Sequence, residues 1–151
     1  MSIIATDLDG TLFKGQTLID GVREGLIEII SEGIEIYYTT NNSSQTPSEI
    51  KNKLEDLLQF NIDVSKIITP LVIFQNLYSD NKLNIFIYGS DNLKKYIKNM
   101  NMNVTSLEHA GLILIGRKEE NNNSEINEII KNVSLGKNIL CLNKDLTFPT
   151  E

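Results

Sequence analysis

The stretch Ile3-Ile4-Ala5-Thr6-Asp7-Leu8-Asp9-Gly10-Thr11-Leu12 decides the fold. Its short apolar run ends abruptly in two acids and a glycine, which predicts a buried strand leaving its sheet at a polar edge. Asp7 and Asp9 stand two apart, so in an extended backbone their side chains leave the same side. Gly10 permits a sharp turn and Thr11 supplies a hydroxyl. The plain alternative is an Asx-turn that merely ends a strand.

Working outward, Leu12 and Phe13 pair with Leu18 and Ile19 around Lys14, Gly15 and Gln16 as a small hairpin. Val22, Leu26, Ile29 and Ile30 make the stripe of a helix packed on one face, with Asp20 placed to cap its start and Gly33 its end. Ile34 to Thr40 is β-branched and aromatic, hence a strand. After the polar loop Asn41 to Gln45, Thr46-Pro47-Ser48-Glu49 reads as N-cap, first-turn proline and capping-box glutamate. Ile50, Leu54, Leu57 and Leu58 continue the stripe. Strands at Ile67–Ile68, Leu83–Tyr88, Leu112–Ile115 and Asn138–Leu142 alternate with helices at Pro70–Tyr78, Asn92–Met100 and Glu125–Val133. Such alternation predicts an α/β protein with mainly parallel strands, whose sites form at the carboxyl ends of those strands.

Two carboxylates at such an end repel each other, by about 4 kcal/mol at ~4 Å in an effective dielectric of ~20. They persist if a cation sits between them or one takes a proton. Both conditions suit phosphoryl transfer, with Asp7 attacking phosphorus, Mg²⁺ screening the anionic phosphate and Asp9 protonating the leaving oxygen. The second constellation, Thr39-Thr40-Asn41-Asn42-Ser43-Ser44, gathers hydroxyls, amides and free N–H groups before a capped helix, a cradle for phosphoryl oxygens.

Composition narrows the partners. Of 151 residues, 40% are hydrophobic and 23% charged, as in a globular domain. Twenty acidic against 14 basic residues leave a net charge of −6, which disfavours nucleic acid and anionic membranes. No apolar run approaches the ~20 residues of a bilayer span. The single cysteine, Cys141, cannot form an internal disulfide and no secretory leader precedes the first strand, so a cytoplasmic location is expected. Cys141 reads as a buried small hydrophobe, the lone His109 as a surface or structural histidine, and Asn121 to Asn123 as a solvated loop.

The run Asp7-Leu8-Asp9-Gly10-Thr11-Leu12 and the segment Tyr38-Thr39-Thr40-Asn41-Asn42-Ser43-Ser44 resemble the haloacid dehalogenase superfamily of phosphatases. Within it they resemble the NagD-like group that includes p-nitrophenylphosphatases and phosphoglycolate phosphatases. The resemblance continues through Ile67-Ile68-Thr69-Pro70, Asn84 to Gly89, Leu112 to Gly116 and Asn143 to Glu151. It implies a Rossmann-like parallel core sheet, partial here, over residues 1–69, with an inserted α/β cap over residues 70–151. It also implies Asp7 as nucleophile and Asp9 as acid/base, both binding Mg²⁺, the latter also through its backbone carbonyl. Thr40 and Asn41 would bind the phosphoryl group of a small phosphorylated metabolite.

The family also uses a lysine and an acidic cluster on later segments, which this chain does not reach. The expected result is an unprotected sheet edge and an incomplete Mg²⁺ shell. Lys118, Glu119 and Glu120, or Lys144 and Asp145, are conceivable substitutes, although ordinary charged cap loops account for them equally. Two rivals remain open: a non-catalytic remnant binding phosphate or a protein partner, with self-association through the cap or the exposed edge, and a receiver-like domain. The receiver lacks an acceptor aspartate after Ile36 to Thr40.

Overall fold

Local signals set most of the elements in the computed structural model, which describes residues 2–78, 82–118 and 120–143. In chain order come β1 (Ile3–Asp7), a hairpin of β2 (Phe13–Lys14) and β3 (Thr17–Leu18), α1 (Val22–Ser31), β4 (Glu35–Thr39), α2 (Pro47–Leu58) and β5 (Ile67–Ile68). Then follow α3 (Pro70–Tyr78), β6 (Asn84–Tyr88), α4 (Asp91–Asn99), β7 (Asn103–Val104), β8 (Leu112–Ile115), α5 (Asn123–Ser134) and β9 (Asn138–Cys141). The chain divides into two compact units, the first running to Val72 and the second beginning at Ile73.

The first unit holds a parallel sheet in the order β1-β4-β5. Its core gathers Leu8, Leu12, Phe13 and Leu26 with Ile36 and Tyr38 of β4 and Ile50, Leu54 and Leu58 of α2. The capping box forms as the sequence predicts: the Glu49 N–H donates to Thr46 Oγ1 at 3.3 Å, and the Thr46 N–H donates to Glu49 Oε2 at 2.7 Å. The hairpin also forms, pairing Phe13 with Leu18.

Three expectations fail here. Gly21, at φ 80°, is the N-cap of α1 and no side chain caps it, because Asp20 stands one residue too early. Ile30 is 46% exposed rather than part of the packed stripe. Most consequentially, β1 is not a buried strand: it pairs with β4 alone among the described residues and leaves Ile3 57% exposed.

The second unit holds a parallel sheet in the order β7-β6-β8-β9. Ile85, Ile87, Ile113 and Leu114 of its two inner strands are buried, as is Ile97 of α4. Ser90 caps α4, its hydroxyl accepting from the Leu93 N–H at 3.2 Å. Leu93 then lies over the ends of β6 and β8. A Cβ added at Gly89 would come within 2.7 Å of its Cδ2, and one at Gly116 within 2.3 Å, so a side chain at either would displace the leucine methyl group.

The asparagine run is more than a solvated loop. Asn122 caps α5, its Oδ1 accepting from the N–H groups of Ser124 and Glu125, and the Tyr88 hydroxyl donates to Asn121 Oδ1 at 3.2 Å. Cys141 is exposed rather than buried; among the described residues β9 pairs with β8 alone. Among the described residues no helix is long and apolar enough to cross a membrane.

Candidate active site

The site is built on the turn after β1. Leu8 turns its side chain into the core, 2% exposed, and its carbonyl accepts from the N–H groups of Thr11 (3.2 Å), Leu12 (2.9 Å) and Phe13 (3.4 Å). Gly10, at φ 84°, makes this winding possible, and its N–H donates to the Phe13 carbonyl at 2.8 Å. Asp9 is bridged to Phe13 through the backbone. Asp7, the last residue of β1, and Asp9, in the turn beyond it, thus flank a buried leucine and are both exposed.

The neighbouring strand end supplies the second half. Asp7 lies opposite Thr39 in the β1–β4 register, and Thr39 Oγ1 donates to the Thr6 carbonyl at 3.0 Å, binding the strands together. Thr40 is buried, its N–H donating to the Ile68 carbonyl and its Oγ1 accepting from the Asn42 N–H at 3.0 Å. Asn42 Oδ1 accepts from the N–H and hydroxyl of Ser44, and its Nδ2 donates to Gln45 Oε1 at 3.1 Å. The loop between β4 and α2 is thus held by its own side chains.

A small cleft opens where these pieces meet. Asp9, Thr40, Asn42 and Gln45 line it on the polar side, with Phe13 and Lys53 beside them and Leu8 and Ile50 as its apolar part. The structure brings Asp9 and Thr40 into one cleft; Asp7 and Asn41 are not among its lining residues, Asp7 lying opposite Thr39 at the end of β1 and Asn41 exposed on the loop. Sequence reasoning overlooked Gln45 and Lys53. Lys53 follows Ile50 by three residues on α2, a spacing that puts it near the buried face of the helix, and that was the available signal.

The donor set suits a hard divalent cation. Two exposed carboxylates, with Asp9 already beside phosphate-type donors, match Mg²⁺, which is held by one or two carboxylates together with waters and substrate phosphate. Among the described residues no group of three acids, histidines or cysteines gathers. Nor is Lys118 a spare charge. It forms an ion pair with Glu125 at 2.6 Å and lies over the Tyr88 ring at 4.5 Å; the hydrogen bond to Glu125 chiefly holds its ammonium above the usual lysine range. Glu120 is exposed, whereas Glu119, Lys144 and Asp145, like the end of the resembling segment from Asn143, lie outside the described residues. His109 is exposed beside the Ser106 hydroxyl, a surface histidine as expected.

The family model of haloacid dehalogenase-like hydrolases matches residues 4–103. An acid sugar phosphatase of Staphylococcus haemolyticus is 28% identical over 149 residues, covering 96% of this chain and 56% of the relative. Three solved structures share the fold. The p-nitrophenyl phosphatase of Archaeoglobus fulgidus superposes with a TM-score of 0.88 at 18% identity, over 99% of this chain and 57% of that one. NagD of E. coli K-12 gives 0.83 at 18%, over 99% and 59%. A glycerol phosphate phosphatase of Mycobacterium tuberculosis, in complex with magnesium, gives 0.81 at 21%, over 99% and 46%. The chain thus spans between 46% and 59% of the length of these relatives.

Proposed function

The chain belongs to the haloacid dehalogenase-like hydrolases, and from that premise we propose that it is a NagD-like member whose protein hydrolyses the phosphomonoester of a small metabolite with Mg²⁺ as cofactor. The residues to Thr69 serve as the catalytic core and those from Pro70 as the cap. An Asp7 carboxylate oxygen attacks phosphorus as the bond to the leaving oxygen breaks, and Asp9 gives that oxygen its proton. Asp9 then takes a proton from water, whose oxygen attacks the aspartyl-phosphate, releasing phosphate and restoring Asp7. Thr40 holds the transferring group through its hydroxyl and Asn41 helps bind it. Asp7 and Asp9 would hold the metal, which screens phosphate charge that would otherwise repel the attacking carboxylate.

One observation carries this reading: Asp9 lines the same cleft as Thr40, while Asp7 lies across from Thr39 on the adjoining strand. The magnesium complex of the mycobacterial relative supports the choice of cation. The test is turnover of p-nitrophenyl phosphate with Mg²⁺. Asp7→Asn should abolish it with the circular dichroism spectrum unchanged, and undiminished turnover would remove Asp7 from its role.

A second reading is favoured by the exposed flank of β1, where Ile3 and Ile4 are 57% and 37% exposed. In it the chain is a non-catalytic member that binds phosphate or a partner through that edge. Turnover by the 151-residue chain excludes it; a concentration-dependent oligomer without turnover supports it.

A further inference from the structure

Lys51 and Lys53 are neighbours on α2 with different surroundings. Lys51 pairs with Glu55 one turn on, at 2.7 Å. Lys53 directs its ammonium onto the ring of Phe13, 3.9 Å from the centroid. That ring is 2% exposed, and its residue is bridged to Asp9 and accepts the Gly10 N–H at its carbonyl. Lys53 also lines the cleft that holds Asp9 and Thr40. An apolar side chain would pack on Phe13 and Ile50 equally well, so packing alone gives no reason for a charge here. A cation, by contrast, is drawn both to the aromatic face and to the carboxylate across the cleft.

We propose that Lys53 is a positioning residue: through the Phe13 ring it fixes the turn Asp9–Phe13 against α2 and so sets where the Asp9 carboxylate stands. The attraction is electrostatic and needs the ammonium. The tight turn around the Leu8 carbonyl, with four N–H groups committed within it, then behaves as one body seated on the helix. The inference rests on the phosphatase reading for its consequence, since Asp9 is the acid/base there, but not for its geometry.

The test compares Lys53→Met, which keeps length and apolar contact, with Lys53→Arg, which keeps the cation. The first readout is amide hydrogen exchange at Gly10, Thr11 and Leu12 in the 151-residue chain. The second is binding of inorganic phosphate in the presence of Mg²⁺, followed by titration calorimetry. Lys53→Met should exchange faster at those three amides, on the order of tenfold, the ratio expected for loss of one partly desolvated cation–π contact, and should bind phosphate more weakly. Lys53→Arg should restore both.

Unchanged exchange in Lys53→Met overturns the inference, as does faster exchange that arginine fails to restore, because the charge would then be irrelevant. Failure of the unmodified chain to bind phosphate overturns the phosphatase reading instead. The two failures are distinguishable because the exchange comparison uses no phosphate.

Discussion

β1 and β8 are both short, parallel and apolar, yet one is buried and the other is not. β8 reads Leu-Ile-Leu-Ile and lies between β6 and β9, with Ile113 and Leu114 at 0% exposure. β1 reads Ile-Ile-Ala-Thr-Asp and among the described residues pairs with β4 alone, with Ile3 at 57% exposure and Ile4 at 37%. Apolar character on both faces is the mark of a strand covered on both sides. β8 has the position its composition calls for; β1 has the composition without the position. The contrast extends to α1, where Ile27 and Ile30 are 49% and 46% exposed.

The comparison can be broken most sharply at its buried end. Leu114→Ala should cost about 2–5 kcal/mol in urea denaturation, the range for a large-to-small change in a packed interior. A loss below ~1 kcal/mol would mean the second sheet is looser than its burial indicates. Next in size, Thr46→Ala removes a cap that is made and should cost about 1 kcal/mol, whereas Asp20→Ala, before a helix whose cap is Gly21, should cost less than ~0.5 kcal/mol.

A smaller effect follows from Glu55, whose carboxylate accepts from Lys51 Nζ at 2.7 Å and from the Ile62 N–H at 2.8 Å. The Lys51 hydrogen bond first, and then that from Ile62, holds its pKa below the ordinary 4.5. A lowered folded-state pKa stabilises above the unfolded value and loses that stability as pH falls through the folded one. Glu55→Gln should therefore be less stable than wild type at neutral pH, and the gap should close as pH falls below 4.5. A gap that persists in acid would show that the side chain acts by packing. Smallest of all, Ile3→Thr should leave unfolding free energy within about 0.5 kcal/mol while reducing self-association, read by sedimentation. A large loss of stability would mean that Ile3 is covered in solution.

What was legible in the sequence was local. The capping box at Thr46 and Glu49, the small hairpin around Lys14, Gly15 and Gln16 and the sharp turn at Gly10 are each specified within a few residues, and each forms, although Lys14 pairs with Thr17 rather than standing in the turn. The rest depends on neighbours distant in the chain. Nothing within β9 distinguishes a central from an edge strand, so Cys141 was expected inside and lies outside. The same holds for β1. Of the site, the acids after β1 and the Thr-Asn turn after β4 were visible because each is contiguous. Lys53 was not, because its place beside Asp9 depends on how α2 packs against Phe13, 40 residues earlier.

Leu93 carries a consequence for the second sheet. In open parallel sheets the gap between strand ends where the connections diverge is the usual seat for a small molecule. Here that gap lies between β6 and β8, spanned by the Ser90 N–H donating to the Arg117 carbonyl at 2.9 Å and stoppered by a leucine methyl group pressed on two bare α-carbons. Leu93 thus occupies the place between those strand ends with its own side chain.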